Sequence, residues 1–553
     1  MPTSLHTVQA AIKAATDNPA GGVVYLPAGV YILRQPVVIK TAKVVIRGDG
    51  PQATIIRIPV SLSDVYDGTW SQAANGDITS QWSFGGSFFL FQGRTSRTSK
   101  PATFLANINA TVPVGGYRIP VDSSAKFTVG QWIRIFVNDQ STKGRRRMQA
   151  TGTTISTSNG GAVSVAAITN AAGTATIGRL ITRPVPQTLQ QDPVFMAALQ
   201  AAAEQRAGDQ EPGLTPAQAL AASAATAPRN PDSVTAAAAP GTVIAWLYGD
   251  GLADSGPNSG AVSPDDISIT AKVTVVDGRW IEIDRELPFP VQQGWQAVVH
   301  SYNPTVQDGG MEKLTIAFDH SMWAGHFTDR GYNAISFASS ANMWLRQVTI
   351  LNSDNAVFVG WTDHSTFIDL TVGVTSRRWM DKDFKRAENG HHAVGITHSH
   401  ANLVDGFNIA SKYIHDLTVS WGANLNVFTR GKGEDVNCDH HRSGPFANLF
   451  TDINMGYGLR PFASGGAKDR AAYTELHSSS VQQLTAQGRR LATLETLRPL
   501  VLPACDWGPR LNFYGSFIGK DLCVSKLWIV GPINSTMPGN LWIAQKQARA
   551  EMP

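Results

Sequence analysis

Short runs of β-branched and aromatic residues, broken by Gly, Pro and Asp, recur along most of this chain. Residues 4–17 are an exception: Val8, Ala11, Ile12 and Ala15 recur at helical spacing and predict an amphipathic helix. From 21 to 59 the sequence GGVVYLPAGVYILRQPVVIKTAKVVIRGDGPQATIIRIP reads as strands at 23–26, 31–33, 37–39, 44–47 and 54–58. Pro27, Gly29, Gly48, Asp49 and Gly50 mark the turns between them. Strands this short, with no helix between them, fit a chain that coils on itself and not a doubly wound sheet.

Beyond residue 310 the coiling can be counted. Ala334 to Ala356 is 22 residues, and so is Val348 to Leu370. The next step, Ala356 to Ala393 and Leu370 to Phe407, is 37 residues in both cases. Both strands slip by the same 15 residues, so one loop is inserted, at about 375–389. Parallel strands in register require such a constant rung. Further rungs are expected at HDLTVSW, NLNVFTR, ANLFTDINMG and SKLWIVGP. Residues 101–137 and 268–299 alternate apolar and polar positions between Gly-containing turns, which predicts antiparallel strands that pair with each other. Between them, 141–265 is rich in Ala, Thr, Ser and Gly and reads as an inserted spacer with one or two Ala-rich helices at best.

The opening helix followed by GGVVYLPAGVYIL and VVIRGDG resembles the start of the pectate-lyase superfamily. The segments GHFTDRGYNAISF, GHH at 390–392, YIHDLTVSWGANLNVFTRGKGEDVNCDHHRSGPFANLFTDINMG and NLWIAQ are similar to bacterial secreted β-helix proteins of that superfamily. The resemblance covers most of the chain apart from 138–265. It implies an all-β, right-handed parallel β-helix (pectin-lyase-like) with an N-terminal capping helix and an antiparallel β excursion. Three parts are expected: cap helix and first coils in 1–100, the inserted excursion in 101–300, and the main stack with its C-terminal cap in 301–553. The resemblance also implies a secreted, monomeric protein acting on a polysaccharide. No signal peptide opens the chain, so a trimmed start is expected, an intracellular protein being the alternative.

Composition narrows the partners. A formal charge of +4 on 553 residues gives no basic face for nucleic acid. No apolar run of membrane-spanning length occurs, so no membrane partner is expected. Asn109-Ala110-Thr111 and Asn534-Ser535-Thr536 are compatible with secretion. Three cysteines allow at most one disulfide, between Cys505 and Cys523, and buried free thiols are the simpler expectation.

Thirteen histidines occur, nine of them between His364 and His477 and seven of those within 391–441, so the chemistry is sought there. The two-residue strand period puts Val394 and Ile396 inward and His391, Gly395 and Thr397 outward. The same reasoning sends Leu425 and Val427 inward, with Asn424, Asn426, Phe428 and Arg430 outward. Next, Val436 and Cys438 point inward and Asp435, Asn437 and Asp439 outward, with His440, His441 and Arg442 at the turn. The candidate catalytic residues are His391, His392, His415, Arg430, Asp435, Asp439, His440 and His441. The candidate substrate-binding residues are Arg378, Trp379, Arg442 and Arg460. Arg378 and Trp379 lie in the inserted loop TSRRWMDKDFKRAEN, which could overhang a groove and grip an acidic sugar.

Two chemistries fit these residue types. An eliminating lyase needs a base and a cationic partner for the uronate carboxylate. Arg430, Arg442 and His391 or His440 would serve, with or without Ca²⁺ held by Asp435 and Asp439. A hydrolase needs two carboxyls about 6.5–9.5 Å apart if inverting. Asp435 and Asp439 lie about 13 Å apart on one strand at the usual rise, so a hydrolytic pair would come from different rungs, such as Asp405 or Asp416 with Asp439. A zinc site from His391, His392, His440 and Asp439 matches no known spacing, and no metal ligands are assigned. The polygalacturonase pattern and the calcium-dependent pectate lyase signature are both missing, which puts pectin itself in doubt. Elimination from a uronate-containing glycan is the leading expectation. The alternatives are a glycoside hydrolase and a non-catalytic glycan-binding or cell-wall protein, in which outward Asn and Asp would only satisfy turns.

Overall fold

The computed structural model describes residues 5–66, 70–72, 78–95, 103–137, 243, 247, 267–380, 387–441, 445–463 and 540–550, and short strands at 479–480, 500–501, 512–514, 517–518 and 529–531. The chain is a right-handed parallel β-helix. The helix Leu5–Asp17 caps its start, with Val8 and Ile12 buried against the first coils.

Two long parallel sheets form the coil, joined by a narrow third face of paired corner residues. The first runs through Val44–Gly48, Gly310–Phe318, Trp344–Leu351, Thr366–Gly373, Leu403–Asp405, Val427–Gly433 and Leu449–Asn454. The second stacks Val37–Ile39, Phe89–Gln92, Asn333–Ala338, Asn355–Gly360, His392–Thr397, His415–Ser420 and Cys438–His441. Register follows the counted rungs: Trp344 pairs Thr366, Thr366 pairs Leu403, Asn333 pairs Asn355 and Asn355 pairs His392. The 15-residue insertion therefore lies between the strands Thr366–Gly373 and His392–Thr397.

Stacked in register, the inward side chains form continuous apolar columns. In the second sheet, Phe89, Ile335, Val357, Val394, Leu417 and Cys438 form one column, and Phe91, Phe337, Val359, Ile396 and Val419 form another. In the first sheet, Ile46, Met311, Leu345, Phe367, Val404, Phe428 and Phe450 line up and are all buried. Phe428 stacks on Phe450, centroids 4.6 Å apart and nearly coplanar.

The position of Phe428 reverses the outward assignment made from its sequence. Leu425 takes a left-handed conformation, φ 57°, and the corner it makes resets the alternation. Such corners recur in register. Asn342, His364, Ala401, Leu425 and Ala447 all have positive φ, as do Ser339, Trp361, His398 and Trp421 along another edge. Asn424 and Asn426 are fully buried beside this corner instead of facing solvent. Asn426 continues an amide ladder: Asn402 Nδ2 donates to Asn426 Oδ1 and Asn426 Nδ2 donates to Asn448 Oδ1, both at 2.9 Å. The ladder satisfies turn backbone that would otherwise be buried without partners.

The antiparallel excursion is a six-stranded sheet of Phe104–Asn107, Arg118–Pro120, Trp132–Val137, Ser268–Asp277, Trp280–Ile283 and Ala297–Ser301, with its own apolar core. The strand Trp132–Val137 pairs with both Ser268–Asp277 and Ala297–Ser301, the expected partnership. It docks on the third face of the coil: His364 Nε2 meets Thr270 Oγ1 at 2.9 Å and Asn424 Nδ2 donates to the Ser268 carbonyl at 3.0 Å. Cys438 is a buried free thiol, whereas Cys505 and Cys523 lie outside the described residues.

Candidate functional site

The second sheet gathers the imidazoles. Strand register places His392 beside His415, with rings stacked at 4.8 Å, below an amide ladder in which Asn355 Nδ2 donates to Asn333 Oδ1. His392 Nδ1 meets Asn355 Oδ1 at 2.8 Å, so His392 is the imidazole continuation of that ladder. On the outer face, Thr418 pairs Asp439 and Ser420 pairs His441. Asp439 Oδ2 lies 2.8 Å from His415 Nδ1 and 3.2 Å from His441 Nδ1. The His415 approach is close but poorly directed as a hydrogen bond. One buried carboxylate thus serves two imidazoles from different rungs.

His391 is fully buried, not open on a groove. Its Nδ1 is 2.9 Å from Asp329 Oδ2, while Asp329 Oδ1 accepts the Trp323 indole N–H at 2.8 Å. Asp329 arrives on a second insertion. Gly310 to Trp344 is 34 residues by register, 12 more than the 22 from Trp344 to Thr366. The extra residues form the loop between Phe318 and Asn333, which also carries exposed His326, 4.8 Å from the His391 ring and 6.3 Å from that of His415. Neither Asp329 nor His326 was marked by spacing in the sequence. The only signal was their presence in GHFTDRG, a segment carrying the family resemblance.

Electrostatics sorts these groups. Burial opposes ionisation of Asp439, but the nearby charges of His415 and His441 and the His441 hydrogen bond outweigh it and hold the carboxyl well below the usual range. Burial pushes Asp329 up to about 6, against hydrogen bonds from Ser83 and Trp323. Burial, then the neighbouring imidazoles, drives His391 and His392 well below the ordinary histidine value, so both are neutral near pH 7.

Several candidate residues are placed elsewhere. His440 follows Val419 in the inward column and packs against Phe450, and burial lowers it to about 4, so it faces the core and not the turn. Arg430 sits on the first sheet, at a left-handed bend, with its guanidinium on Asp405 at 2.6 Å. Asp435 accepts from the Leu459 N–H at 2.8 Å and faces Arg460 at 3.5 Å and Lys412 at 3.8 Å, so it does not pair with Asp439 around an ion. Arg460 Nη2 binds Asp416 at 2.7 Å. Arg378, expected to overhang a groove, is fully buried and donates to the Ser321, Ser353 and Asn389 carbonyls and to Asp354. Half-buried Trp379 has the Arg377 guanidinium over its ring at 4.6 Å. Arg442, Lys382, Lys385 and Arg386 lie outside the described residues.

A further feature went unread in the sequence. Trp361, His398 and Trp421 occupy one corner of successive rungs, half-buried, and stack nearly parallel at 4.3 and 5.4 Å. They border the outer face on the side of His441. Between them and the imidazoles lies Gly395, flanked along its column by Phe358 and Thr418. Elsewhere, an open hollow of about 510 Å³ lies between Thr128–Trp132 and Tyr302–Gln307, but no carboxylate, imidazole or cation lines it.

No family model matches the chain, and no curated protein matches it. Among solved structures it is similar to the tailspike protein gp49 from Pseudomonas phage LKA1, with TM-score 0.41, 9% identity, and 94% of this chain and 65% of that one covered. Similar values hold for the tailspike gp61 of Pseudomonas phage phi297: TM-score 0.38, 9% identity, 96% and 65% covered. For the Gp54 tailspike of Acinetobacter baumannii bacteriophage AP22, solved in complex with A. baumannii capsular saccharide, the TM-score is 0.26 at 7% identity, with 97% and 73% covered. The chain thus spans just under two thirds of the length of the first two. At such identities and scores these likenesses say nothing about chemistry, which is read from this chain's own residues.

Proposed function

We propose that this protein is a carbohydrate-active enzyme that cleaves a uronate-containing glycan by β-elimination, with His441, backed by Asp439, as its acid–base group. The observation that carries the reading is Asp439, an ionised carboxylate shared by imidazoles on neighbouring rungs. A carboxylate held behind a histidine fixes its tautomer and stabilises the imidazolium that forms on proton transfer. In the proposed step the His441 imidazole removes the proton on the carbon next to the uronate carboxylate. That electron pair becomes the new carbon–carbon double bond, the bond to the glycosidic oxygen breaks, and the imidazolium so formed gives its proton to the departing oxygen. The ladder Trp361–His398–Trp421 supports a glycan as the substrate, because stacked ring faces along the coil axis suit the apolar faces of consecutive sugars.

The test is a panel of uronate-containing polysaccharides with product analysis. Unsaturated ends absorbing in the near ultraviolet are expected, with turnover falling on the order of 10²–10⁴-fold in Asp439→Asn and His441→Gln. Turnover unchanged in both variants would remove the cluster from the mechanism. A hydrolase is the second reading, favoured by one observation: Asp329 is raised to about 6 while Asp439 is held ionised, the separation an acid and its partner need. Saturated products would select it.

A further inference from the structure

Each described arginine among the sequence candidates is already committed: Arg378 to Asp354, Arg430 to Asp405 and Arg460 to Asp416. Elimination needs positive charge at the substrate carboxylate. The cluster itself points to where it would come from.

One ring nitrogen from each of His326, His391 and His415 lies within 4.8 Å of the other two. A second set of the same closeness, His415, Asp439 and His441, shares His415 with the first. His391 shows how the centre is prepared. Its Nδ1 faces the Asp329 carboxylate, and its Nε2 is buried with no hydrogen-bond partner. A buried nitrogen without a partner keeps the full cost of its lost hydration, so an orphan Nε2 beside two further imidazoles calls for a ligand. A carboxylate on one imidazole nitrogen, leaving the other's lone pair presented, is the arrangement that orients a metal-binding histidine. Asp329 holds this position on a loop that also delivers His326. His392 is excluded as a ligand by its place in the Asn355 ladder.

We propose that His326, His391 and His415 bind a divalent transition-metal ion, with Asp439 behind His415 and His441 left to transfer the proton. Imidazole donors select zinc and its neighbours over Ca²⁺ or Mg²⁺, which take oxygen ligands. Bonds of 2.0–2.1 Å in a tetrahedral site put donor atoms about 3.3 Å apart, so the rings draw together by an ångström or so. Exposed His326, on its inserted loop, has the room to do this. The ion's role in neutralising a uronate rests on the function proposed above, whereas its binding does not.

The experiment is calorimetric titration of the metal-stripped full chain with Zn²⁺, paired with the visible spectrum of the Co²⁺ form. One ion per chain is expected, with a four- or five-coordinate cobalt spectrum. His326→Ala should weaken Zn²⁺ binding at least tenfold while leaving thermal unfolding of the metal-free protein unchanged, since its side chain is exposed. Asp329→Asn should weaken binding by about 10–100-fold through loss of the oriented tautomer. Met322→Ala, exposed on the same loop and outside the cluster, should bind as the parent does. Absence of stoichiometric binding, or parental affinity in both His326→Ala and Asp329→Asn, overturns the site. Zn²⁺ binding without cleavage of any glycan retires the proposed function and leaves the site. Cleavage that survives chelation, with no Zn²⁺ bound, does the reverse.

Discussion

Replacing Arg378 by Met should cost about 3–5 kcal/mol of stability, the usual penalty for leaving one member of a buried ion pair without the other. Arg378 is fully buried and Asp354 nearly so, with Nη2 and Oδ1 2.7 Å apart. The guanidinium also donates to Ser321 O at 2.9 Å, Ser353 O at 2.6 Å and Asn389 O at 3.1 Å. Asp354 Oδ2 meanwhile accepts the Gly331 and Tyr332 N–H groups at 3.0 and 3.2 Å. Met fills similar volume but supplies no donor, so a carboxylate and three carbonyls lose that donor together, the Ser353 carbonyl retaining the Tyr413 hydroxyl at 3.2 Å. Asp354→Asn in the same background removes the stranded charge and keeps an acceptor for Gly331 and Tyr332. The double variant should then be more stable than Arg378→Met alone.

The pH dependence fixes the cause. Burial raises the Asp354 pKa above its unfolded value, and Arg378 opposes that rise. Without Arg378 the folded value climbs further. A raised folded pKa means that the folded state holds its proton more tightly, so stability is gained below the unfolded value and lost as pH rises through the folded one. Arg378→Met should therefore be least destabilised in mild acid and most destabilised above neutrality. Urea unfolding of the parent, both single variants and the double variant, at mildly acidic and mildly alkaline pH, measures this. A single-variant cost within about 0.5 kcal/mol of zero, the range of ordinary surface changes, or a double variant worse than the sum of its parts, would refute the reasoning.

His364 sits half-buried between the coil and the excursion, and desolvation, then Arg285 and Lys272, lowers its pKa well below the ordinary value. The unfolded chain takes up a proton near pH 6.5 that the folded one refuses, so stability falls as pH drops below that point, and His364→Gln should flatten this slope in acid unfolding curves. Gly431 has no room for a side chain, since a Cβ would lie 2.0 Å from the buried Phe407 ring; Gly431→Ala should cost about 1–3 kcal/mol by chemical denaturation. If the corner ladder is a glycan platform, Trp361→Ala and Trp421→Ala should each weaken oligosaccharide binding in calorimetry, by about 1–3 kcal/mol if the ring stacks as aromatic platforms do elsewhere, with unchanged affinity in both ruling that role out.

The rung length was legible because two strands of different faces, read independently, slipped by the same 15 residues between 356 and 407. The antiparallel partnership of 101–137 with 268–299 was legible from period-two alternation alone. Orientation was not. Alternation holds within a strand and fails across a corner, and the corners here are made by non-glycine residues such as Asn342, His364, Leu425 and Trp361 in the left-handed region. Such residues enter that region rarely, so their sequence carries no mark of it. Counting through Leu425 turned Phe428 outward, when a reset there returns it to the core column on Phe450. His440 fails similarly: His in a strand beside Asp439 reads as polar, but the register leaves it under Val419.

The two insertions explain why the site was half seen. Each enters between a strand of the first sheet and the next strand of the second, so stacking brings them to the same edge of the coil. There they hold each other: Trp323 N donates to Arg378 O at 2.8 Å, Arg378 Nε donates to Ser321 O at 2.9 Å, and His320 Nε2 meets Arg377 O at 3.1 Å. The arginine that looked like a ligand for acidic sugar is the tie between the two loops. What it secures is the position of Asp329 over His391, and with it the direction in which the His391 lone pair points. A residue 62 positions upstream thus settles the chemistry of an imidazole at the start of the fifth strand of the second sheet. Local pattern found the histidines, because they lie on counted strands. It could not find Asp329, because an insertion breaks the count that would have placed it.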